Sequence, residues 1–119
     1  MARAATTSDV FNAIAEPRRR EIIQLLAETE ELPVGDLVHR LRLPQPAVSK
    51  HLSVLRKVRL VSVNRRGRSR LYRLHAAELK PIHDWTKMFE KFWNRQIDRI
   101  KAKAEAKARE LHRELHKEN

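Results

Sequence analysis

The chain has 119 residues, of which 41% are hydrophobic and 34% are charged, with a formal net charge of +11. This size suits one domain with a single modest core. It contains no cysteine and only two glycines, which excludes disulfides, thiolate metal sites, cysteine nucleophiles and a glycine-rich phosphate loop. No apolar run approaches the ~18 residues of a membrane span, and residues 1–9 lack the apolar core of a signal peptide. We expect a cytoplasmic protein with no membrane partner.

Three helices are predicted in the first third of the chain. Ser8 or Asp9 can cap a first short helix, and Pro17 suits the first turn of a second helix because its missing N–H needs no partner there. A third, short helix opens at Pro33 and ends before Pro44. The arginines at 18–20 have two interpretations, as phosphate contacts or as a solvated face.

The fourth predicted helix, 45–58, has two different sides. Val48, Leu52 and Leu55 share the apolar side, and His51 flanks it as a packing or hydrogen-bonding residue. The opposite side is small, polar or basic and carries no acid. A helix of this kind buries one side in a core and offers the other to a ligand.

A hairpin and a last helix complete the predicted order. The β-prone segments 60–64 and 71–74 flank a turn in which Gly67 supplies the positive φ. The tip of this hairpin carries four arginines. From about Ala76 a last helix is predicted, with four of the six aromatic residues inside 85–93, and we expect helix with fraying toward residue 119.

The positive charge is concentrated in residues 37–77, the acid-free stretch. It contains no Asp or Glu and eleven Lys and Arg, a number equal to the whole net charge of +11. Such a segment repels itself unless a polyanion neutralises it. A basic face exposed only to solvent is the alternative. A membrane surface is a weaker candidate, because the stretch has no amphipathic basic helix with a broad aromatic face.

The predicted order α-α-α-α-β-β-α, mainly α with a small β-hairpin, is typical of a winged helix-turn-helix. The slim outer side of the fourth helix can enter a major groove about 12 Å wide, and Gln45 and Lys50 can reach base edges. The arginines of the hairpin can contact the DNA backbone or an adjacent minor groove. The candidate DNA-binding residues are Gln45, Pro46, Ala47, Ser49, Lys50, Ser53, Lys57, Arg65, Arg66, Arg68 and Arg70.

Four segments resemble the ArsR family of bacterial winged-helix repressors. They are 15–22, 33–37, 45–56 and 67–74, of which 45–56 is highly specific. The resemblance covers residues 8–100, and the pairs Asp84-Trp85 and Phe92-Trp93 resemble the SdpR-type branch of the family. We expect a flexible N-terminus at 1–7, a DNA-binding and dimerisation domain at 8–100, and a charged helical tail at 101–119.

The resemblance implies a homodimer that joins the first and last helices of two copies. The residues expected at this dimer interface are Val10, Phe11, Ile14, Trp85, Phe89, Phe92, Trp93 and Ile97. From the pattern alone, the aromatic residues of the last helix could instead belong to the core or line an effector pocket. The effector itself is unknown.

The metal sites of the family are not expected in this chain. Pro33 and Gly35 stand at the positions of its thiolate ligands, and Pro81 and Asn94 stand where its other site has Asp and His. The pair at 112 and 116, two histidines one helical turn apart, is a weak site by itself. We expect no metal and no cofactor.

The favoured function is that of a transcriptional regulator that binds double-stranded DNA in a sequence-specific manner. We expect a dimeric repressor with a pseudo-palindromic operator, and this operator could lie at the regulator's own gene. The alternative is an RNA-binding or ribosome-associated winged-helix protein, yet Tyr72 is the one aromatic residue of the acid-free stretch that could stack on a base. An enzyme is not expected, because no nucleophile–base pair, cofactor loop or paired carboxylates are present.

Overall fold

The computed structural model describes residues 9–117, so the predicted flexible N-terminus at 1–7 and the alternative cap Ser8 lie outside the described residues. The helices are α1 (Val10–Ile14), α2 (Pro17–Thr29), α3 (Val34–Leu41), α4 (Gln45–Lys57), α5 (Lys80–Lys87) and α6 (Glu90–Lys117), with a 3-10 turn at Ala76–Leu79. The strands are β1 (Glu31–Pro33), β2 (Val61–Arg66) and β3 (Ser69–Leu74). The chain divides into two compact units between residues 83 and 84, and we call the N-terminal one the first unit and the C-terminal one the second unit. No helix in the part described is both long enough and apolar enough to cross a bilayer.

The first two helices begin at side-chain caps. The Asp9 carboxylate accepts the backbone N–H of Asn12 at 2.7 Å, and the Glu16 carboxylate accepts the backbone N–H of Arg18 at 3.0 Å. Loss of an aspartate cap costs a helix about 1 kcal/mol. Pro17 lies in the first turn of α2, as predicted.

Arginines of α2 fasten the end of α1. The Arg19 Nε donates to the carbonyl of Ala13 at 2.5 Å, and the Arg20 Nη1 donates to the carbonyl of Ile14 at 2.8 Å. Cationic donors are favourable there because the last carbonyls of a helix have no partner within it. Neither interpretation of the arginines at 18–20, as phosphate contacts or as a solvated face, predicted these contacts within the chain.

The sheet has three antiparallel strands in the order β1-β3-β2. The hairpin of β2 and β3 is the predicted one, whereas β1 was not predicted, because Pro33 was expected to open the third helix. In β1, Leu32 pairs with Tyr72 and Pro33 pairs with Leu71. A three-residue strand is too short to show alternation in sequence, and it forms here on the edge that β3 offers.

The core of the first unit lies between α1–α4 and the sheet. Its buried side chains are Ala13, Ile22, Leu26, Leu32, Leu37, Leu41, Val48, Leu52, Leu55, Val58, Leu60, Val61 and Tyr72. Within residues 9–117 no polar or charged side chain other than that tyrosine is buried. Since the interior is filled by apolar groups, the charged residues of this unit lie on its surface.

The predicted single last helix is wrong in two respects. A 3-10 turn precedes α5, and the helix is interrupted at Met88 and Phe89, where the Phe89 N–H bonds the Thr86 carbonyl at 2.9 Å. This contact spans three residues instead of the four of an α-helix. No glycine or proline marks the interruption. Beyond it, α6 continues to Lys117, so the expected fraying does not appear in the described part of the tail.

Candidate nucleic-acid interface

Helix α4, which we call the recognition helix, is bounded by backbone geometry. Its N-cap is Pro44, which makes no side-chain cap bond, and Pro46 lies in its first turn. At its other end the Leu60 N–H bonds the Leu55 carbonyl at 3.0 Å, and Arg59 has a φ of 64°. This six-residue closure with a left-handed residue is a Schellman motif. It ends the helix and leads the chain into β2.

The two sides of the recognition helix differ in exposure. Val48, Leu52 and Leu55 are 0%, 1% and 0% exposed and belong to the core, as predicted. On the other side the structure exposes Gln45, Pro46, Ser49, Lys50, Ser53 and Lys57, while Ala47 is half-buried. The outward surface is therefore small and polar at its N-terminal end, carries Lys50 in its middle and Lys57 at its C-terminal end, and contains no acid.

His51 lies between these two sides. Its ring is half-buried, and its Nε2 is 3.8 Å from the Glu16 carboxylate, the group that caps α2. This distance exceeds that of a hydrogen bond. The residue therefore faces the second helix, in keeping with the packing role assigned to it from the sequence.

The hairpin 61–74, which we call the wing, turns at Gly67, whose φ is 60°. Arg65 and Arg70 are direct cross-strand partners, and both are exposed. Like charges placed directly opposite each other destabilise a strand pair. An anion bound at the tip of the wing would remove this repulsion.

Arg66 differs from the other arginines of the wing. Its guanidinium is 3.4 Å from the carboxylate of Glu31, which lies on β1 across the sheet. An exposed ion pair of this kind contributes at most about 1 kcal/mol. The contact is weak enough to break, but it gives Arg66 a partner within the chain.

All eleven Lys and Arg residues of the acid-free stretch are exposed. Among them, Arg66 alone forms an ion pair with another of the residues 9–117. The other ten cations therefore have no ion-pair partner in the described part of the chain. Their mutual repulsion is relieved most effectively by an external polyanion.

The recognition helix and the wing meet at one concave surface. A cavity of about 400 Å³ is lined by Gln45 and Ser49 of the helix and by Arg68 and Arg70 of the wing. These residues are far apart in sequence, and the fold brings them together. The predicted residues Lys50, Ser53, Lys57, Arg65 and Arg66 lie outside this cavity.

Sequence reasoning missed the start of α3 at this cavity. Val34 and Gly35 line it beside the recognition helix, and a Cβ placed on Gly35 would meet nothing within 4 Å. The open backbone at the beginning of a helix is favourable for an approaching phosphate. The signal available in sequence was the absence of a bulky side chain at Gly35.

The residues expected at a dimer interface lie in both units. Phe11 in α1 is 41% exposed, whereas Val10 and Ile14 are half-buried. In the second unit Trp85, Phe92, Trp93 and Ile97 are each about half exposed or more. Phe89 is half-buried, and its ring meets Trp85 edge to face with centroids 5.3 Å apart.

The chain is similar to known regulators. The family described as "Bacterial regulatory protein, arsR family" matches residues 16–63. The transcriptional repressor SdpR of Bacillus subtilis is 31% identical over 78 residues, which are 66% of this chain and 86% of that protein. The chain belongs to the arsR family.

Solved structures of arsR-type regulators have the same fold. Reduced HlyU from Vibrio cholerae is 32% identical, with a TM-score of 0.57 over 74% of this chain and 90% of that one. An ArsR-like transcriptional regulator from Rhodococcus sp. RHA1 is 29% identical, with a TM-score of 0.61 over 85% of this chain and 94% of that one. The winged helix-turn-helix prediction is confirmed. The protein is a DNA-binding transcriptional regulator and, like these relatives, not an enzyme.

The residues of this arsR-family member do not fit the family's metal sites. Pro33 ends β1, Gly35 lies in α3 and Pro81 lies in α5, and none of them offers a metal-binding side chain. The rings of the histidines at 112 and 116 lie side by side, tilted by 43°, with centroids 4.1 Å apart. Groups of three or more His, Cys, Asp or Glu with metal-site geometry are absent from residues 9–117.

Proposed function

We propose that this regulator represses transcription as a homodimer that binds a pseudo-palindromic operator in double-stranded DNA. The observation that carries the proposal is the cavity shared by the recognition helix and the wing, where Gln45 and Ser49 lie opposite Arg68 and Arg70. Ten exposed cations of the acid-free stretch, Arg68 and Arg70 among them, have no ion-pair partner in the described chain. We place the protein in the cytoplasm, where a bacterial regulator meets its DNA.

The recognition helix supplies the base contacts. Its centre presents Ser49 and the half-buried Ala47, so the backbone can approach the floor of a groove about 12 Å wide. Gln45 and Lys50 are long enough to reach base edges on either side. Pro46, Ser53 and Lys57 lie on the same outward side, where they complete the contact with the groove and its phosphates.

The wing supplies contacts that position the protein without reading sequence. Arg68 and Arg70 extend the cationic surface from the recognition helix, and Arg65 adds a third guanidinium at the tip. Arginine contacts to phosphates fix the register of a protein on DNA. The wing therefore contributes to affinity for every duplex, and Arg66 contributes less because Glu31 holds it.

The dimer brings two recognition helices to one face of the duplex. We assign its interface to Val10, Phe11 and Ile14 of α1 and to the apolar residues of 85–97. Exposed aromatic side chains are common at such interfaces because they bury a large area. Half-sites about 34–36 Å apart then match the two-fold symmetry of the protein.

Duplex DNA is favoured over RNA by the position of Tyr72. This residue is 6% exposed and belongs to the core, so its ring cannot stack on an unpaired base. Sequence-specific recognition of single-stranded RNA depends on such stacking platforms. A competition between duplex DNA and single-stranded RNA checks this, and we expect the duplex to displace the RNA.

The test of the proposed function is a comparison of duplexes. The full-length protein selects its preferred duplex from a random pool, and its affinity is compared with that for a scrambled duplex at physiological salt. We expect a preference of at least ~10³-fold. If 6–10 phosphates are contacted, affinity falls about 10³–10⁵-fold between about 50 and 200 mM salt. Equal affinity for both duplexes would contradict the proposal.

A further inference from the structure

A second cavity lies where the recognition helix ends and the wing begins, and we call it the root cavity. Its volume is about 520 Å³, which is within the range of cavities that hold small molecules. All of its lining residues belong to the first unit. The polar ones are Arg56, Arg59, Ser62, His75 and Glu78.

The root cavity is separate from the cavity that the recognition helix forms with the tip of the wing. No described residue lines both of them. Ser62 lies five residues before Gly67, so about 17 Å of strand separates the root cavity from the turn of the wing. A ligand of the root cavity can therefore differ from the DNA that we assign to the other cavity.

Charges of both signs line the root cavity without pairing with each other. Arg56, Arg59 and Glu78 are exposed, and none of them forms an ion pair with any of the residues 9–117. Two guanidinium groups attract an anion, and the carboxylate attracts a cationic donor. A small molecule that carries both groups would satisfy the two sides of the cavity.

A serine and a histidine add an oriented donor to the root cavity. The Ser62 Oγ and the His75 Nε2 lie 2.6 Å apart. When Nε2 carries the proton, it donates to Oγ, and the serine hydroxyl keeps its own hydrogen for a ligand. Because Ser62 is half-buried, this hydroxyl is held at the wall of the cavity. It can donate to the same anion as the two guanidinium groups.

Arg59 has a backbone conformation that favours glycine. Its φ is 64°, and glycine is the usual residue at this place in a Schellman motif. An arginine is strained in this conformation, but it supplies a guanidinium to the root cavity. Arg42 has a φ of 56° at the end of α3 and lies outside the root cavity. It is therefore a matched control position.

We propose that the root cavity binds a small phosphomonoester whose organic part carries an amine. The phosphate accepts hydrogen bonds from Arg56, Arg59 and Ser62, because guanidinium groups match the geometry of phosphate oxygens. The amine donates to Glu78. This site goes beyond the proposed function, since it requires neither DNA nor a second copy. It gives a small-molecule site to a regulator whose residues do not fit the metal sites of its family.

Titration of the full-length protein with phosphoethanolamine tests the site. Amide chemical shifts are followed by NMR without DNA, at constant ionic strength. We expect the amides of Arg59, Ser62 and His75 to shift along one saturating curve with a Kd of about 1 mM, as for a few charge-assisted hydrogen bonds. Shifts that do not saturate, or that are as large at Arg42, would overturn the proposal.

Two glycine variants separate binding from folding. Arg59→Gly removes a guanidinium of the site and relieves the strained backbone, so the variant should melt at or above the temperature of the original protein. Its affinity for phosphoethanolamine should fall at least about tenfold. Arg42→Gly makes the same change at the control position, and its affinity should stay within about twofold. An equal loss in both variants, or no loss in Arg59→Gly, would overturn the proposal.

A second probe tests the role of the carboxylate. Ethyl phosphate lacks the amine of phosphoethanolamine and should bind about tenfold more weakly to the original protein, because it cannot donate to Glu78. In Glu78→Gln the two probes should bind with similar affinity, since the charge that favours the amine is gone. Equal affinity of the original protein for the two probes would contradict the role of Glu78.

The DNA backbone is the other source of phosphate groups for the root cavity. Dimethyl phosphate has the phosphodiester group of that backbone and one negative charge, whereas a phosphomonoester carries about 1.5–2. We expect no saturating shift with dimethyl phosphate over the concentrations at which ethyl phosphate saturates. Equally tight binding of the phosphodiester would assign the root cavity to the DNA-binding surface and would overturn the proposal.

Discussion

The acid-free stretch and helix α6 differ in the side chains that they expose. The acid-free stretch exposes cations without ion-pair partners, and α6 exposes large apolar residues. In the acid-free stretch the large apolar side chains are buried or half-buried, and among its exposed cations only Arg66 has an ion-pair partner in the described chain, Glu31. In α6 acids and bases are both present along the helix, and Ile100, Leu111 and Leu115 are exposed. A surface of cations without acidic partners is suited to binding a polyanion, whereas a surface of exposed apolar side chains is suited to binding another protein. One short chain therefore has two surfaces for two classes of partner.

The largest expected effect is at the centre of the recognition helix. Ser49→Glu places a carboxylate against the floor of the groove and the surrounding phosphates, so the preference for the operator, at least ~10³-fold, should be lost. The fold should persist because this position is exposed. Fluorescence anisotropy with operator and scrambled duplexes measures both affinities.

The matched control for this change lies on α6. Ala106→Glu adds the same carboxylate at another exposed helix position, and we expect operator affinity within about twofold of the original protein, since residue 106 lies outside the recognition helix and the wing. Unchanged operator binding by Ser49→Glu would show that this side of α4 does not face the DNA.

The next effect contrasts a buried leucine with an exposed one. Leu55→Ala should lower the free energy of unfolding by about 2–5 kcal/mol, because its side chain is fully buried and a cavity remains. Leu111→Ala should change it by less than about 0.5 kcal/mol in dilute solution, since residue 111 is 53% exposed. Urea denaturation followed by circular dichroism checks the pair. Equal losses would mean that α6 is part of the core.

A smaller effect is expected from the wing. Arg68→Ala with Arg70→Ala should weaken binding to every duplex by a similar factor and reduce the salt slope by about 2. Arg66→Ala is the control within the wing and should have a smaller effect, because Glu31 holds its guanidinium at 3.4 Å. Titrations at several salt concentrations give the slopes. If affinity fell for the operator duplex alone, the result would instead indicate that the wing contacts bases.

The smallest effect concerns the turn of the wing. Gly67 has a φ of 60°, and a Cβ there would meet nothing within 4 Å. Gly67→Ala should therefore destabilise the protein by about 1 kcal/mol through backbone strain alone. A thermal melt measures the change. An increase in stability would show that the turn relaxes at no cost.

Elements with a clear period or a clear turn residue were predictable. The recognition helix followed from the three- and four-residue spacing of Val48, Leu52 and Leu55, and the wing followed from the β-prone segments on both sides of Gly67. The outward side of the helix was predictable because it is the complement of the apolar side. Each of these predictions depends only on residues that are close together in the sequence.

The features that sequence could not reveal depend on distant contacts. Strand β1 needs the edge of β3, and Arg19 and Arg20 bond carbonyls at the end of a neighbouring helix. The interruption at residues 88–89 has no glycine or proline to mark it. The cavity joins Ser49 to Arg70 only after the wing has folded beside the helix.

The central claim is that the recognition helix and the wing, rather than α6, contact DNA. Backbone amide hydrogen exchange of the full-length protein, with and without a saturating operator duplex, tests it most directly. Slower exchange in residues 45–57 and 61–74, with residues 101–117 unchanged, is the result predicted here. Protection of α6 by DNA while the recognition helix exchanges as before would contradict the claim.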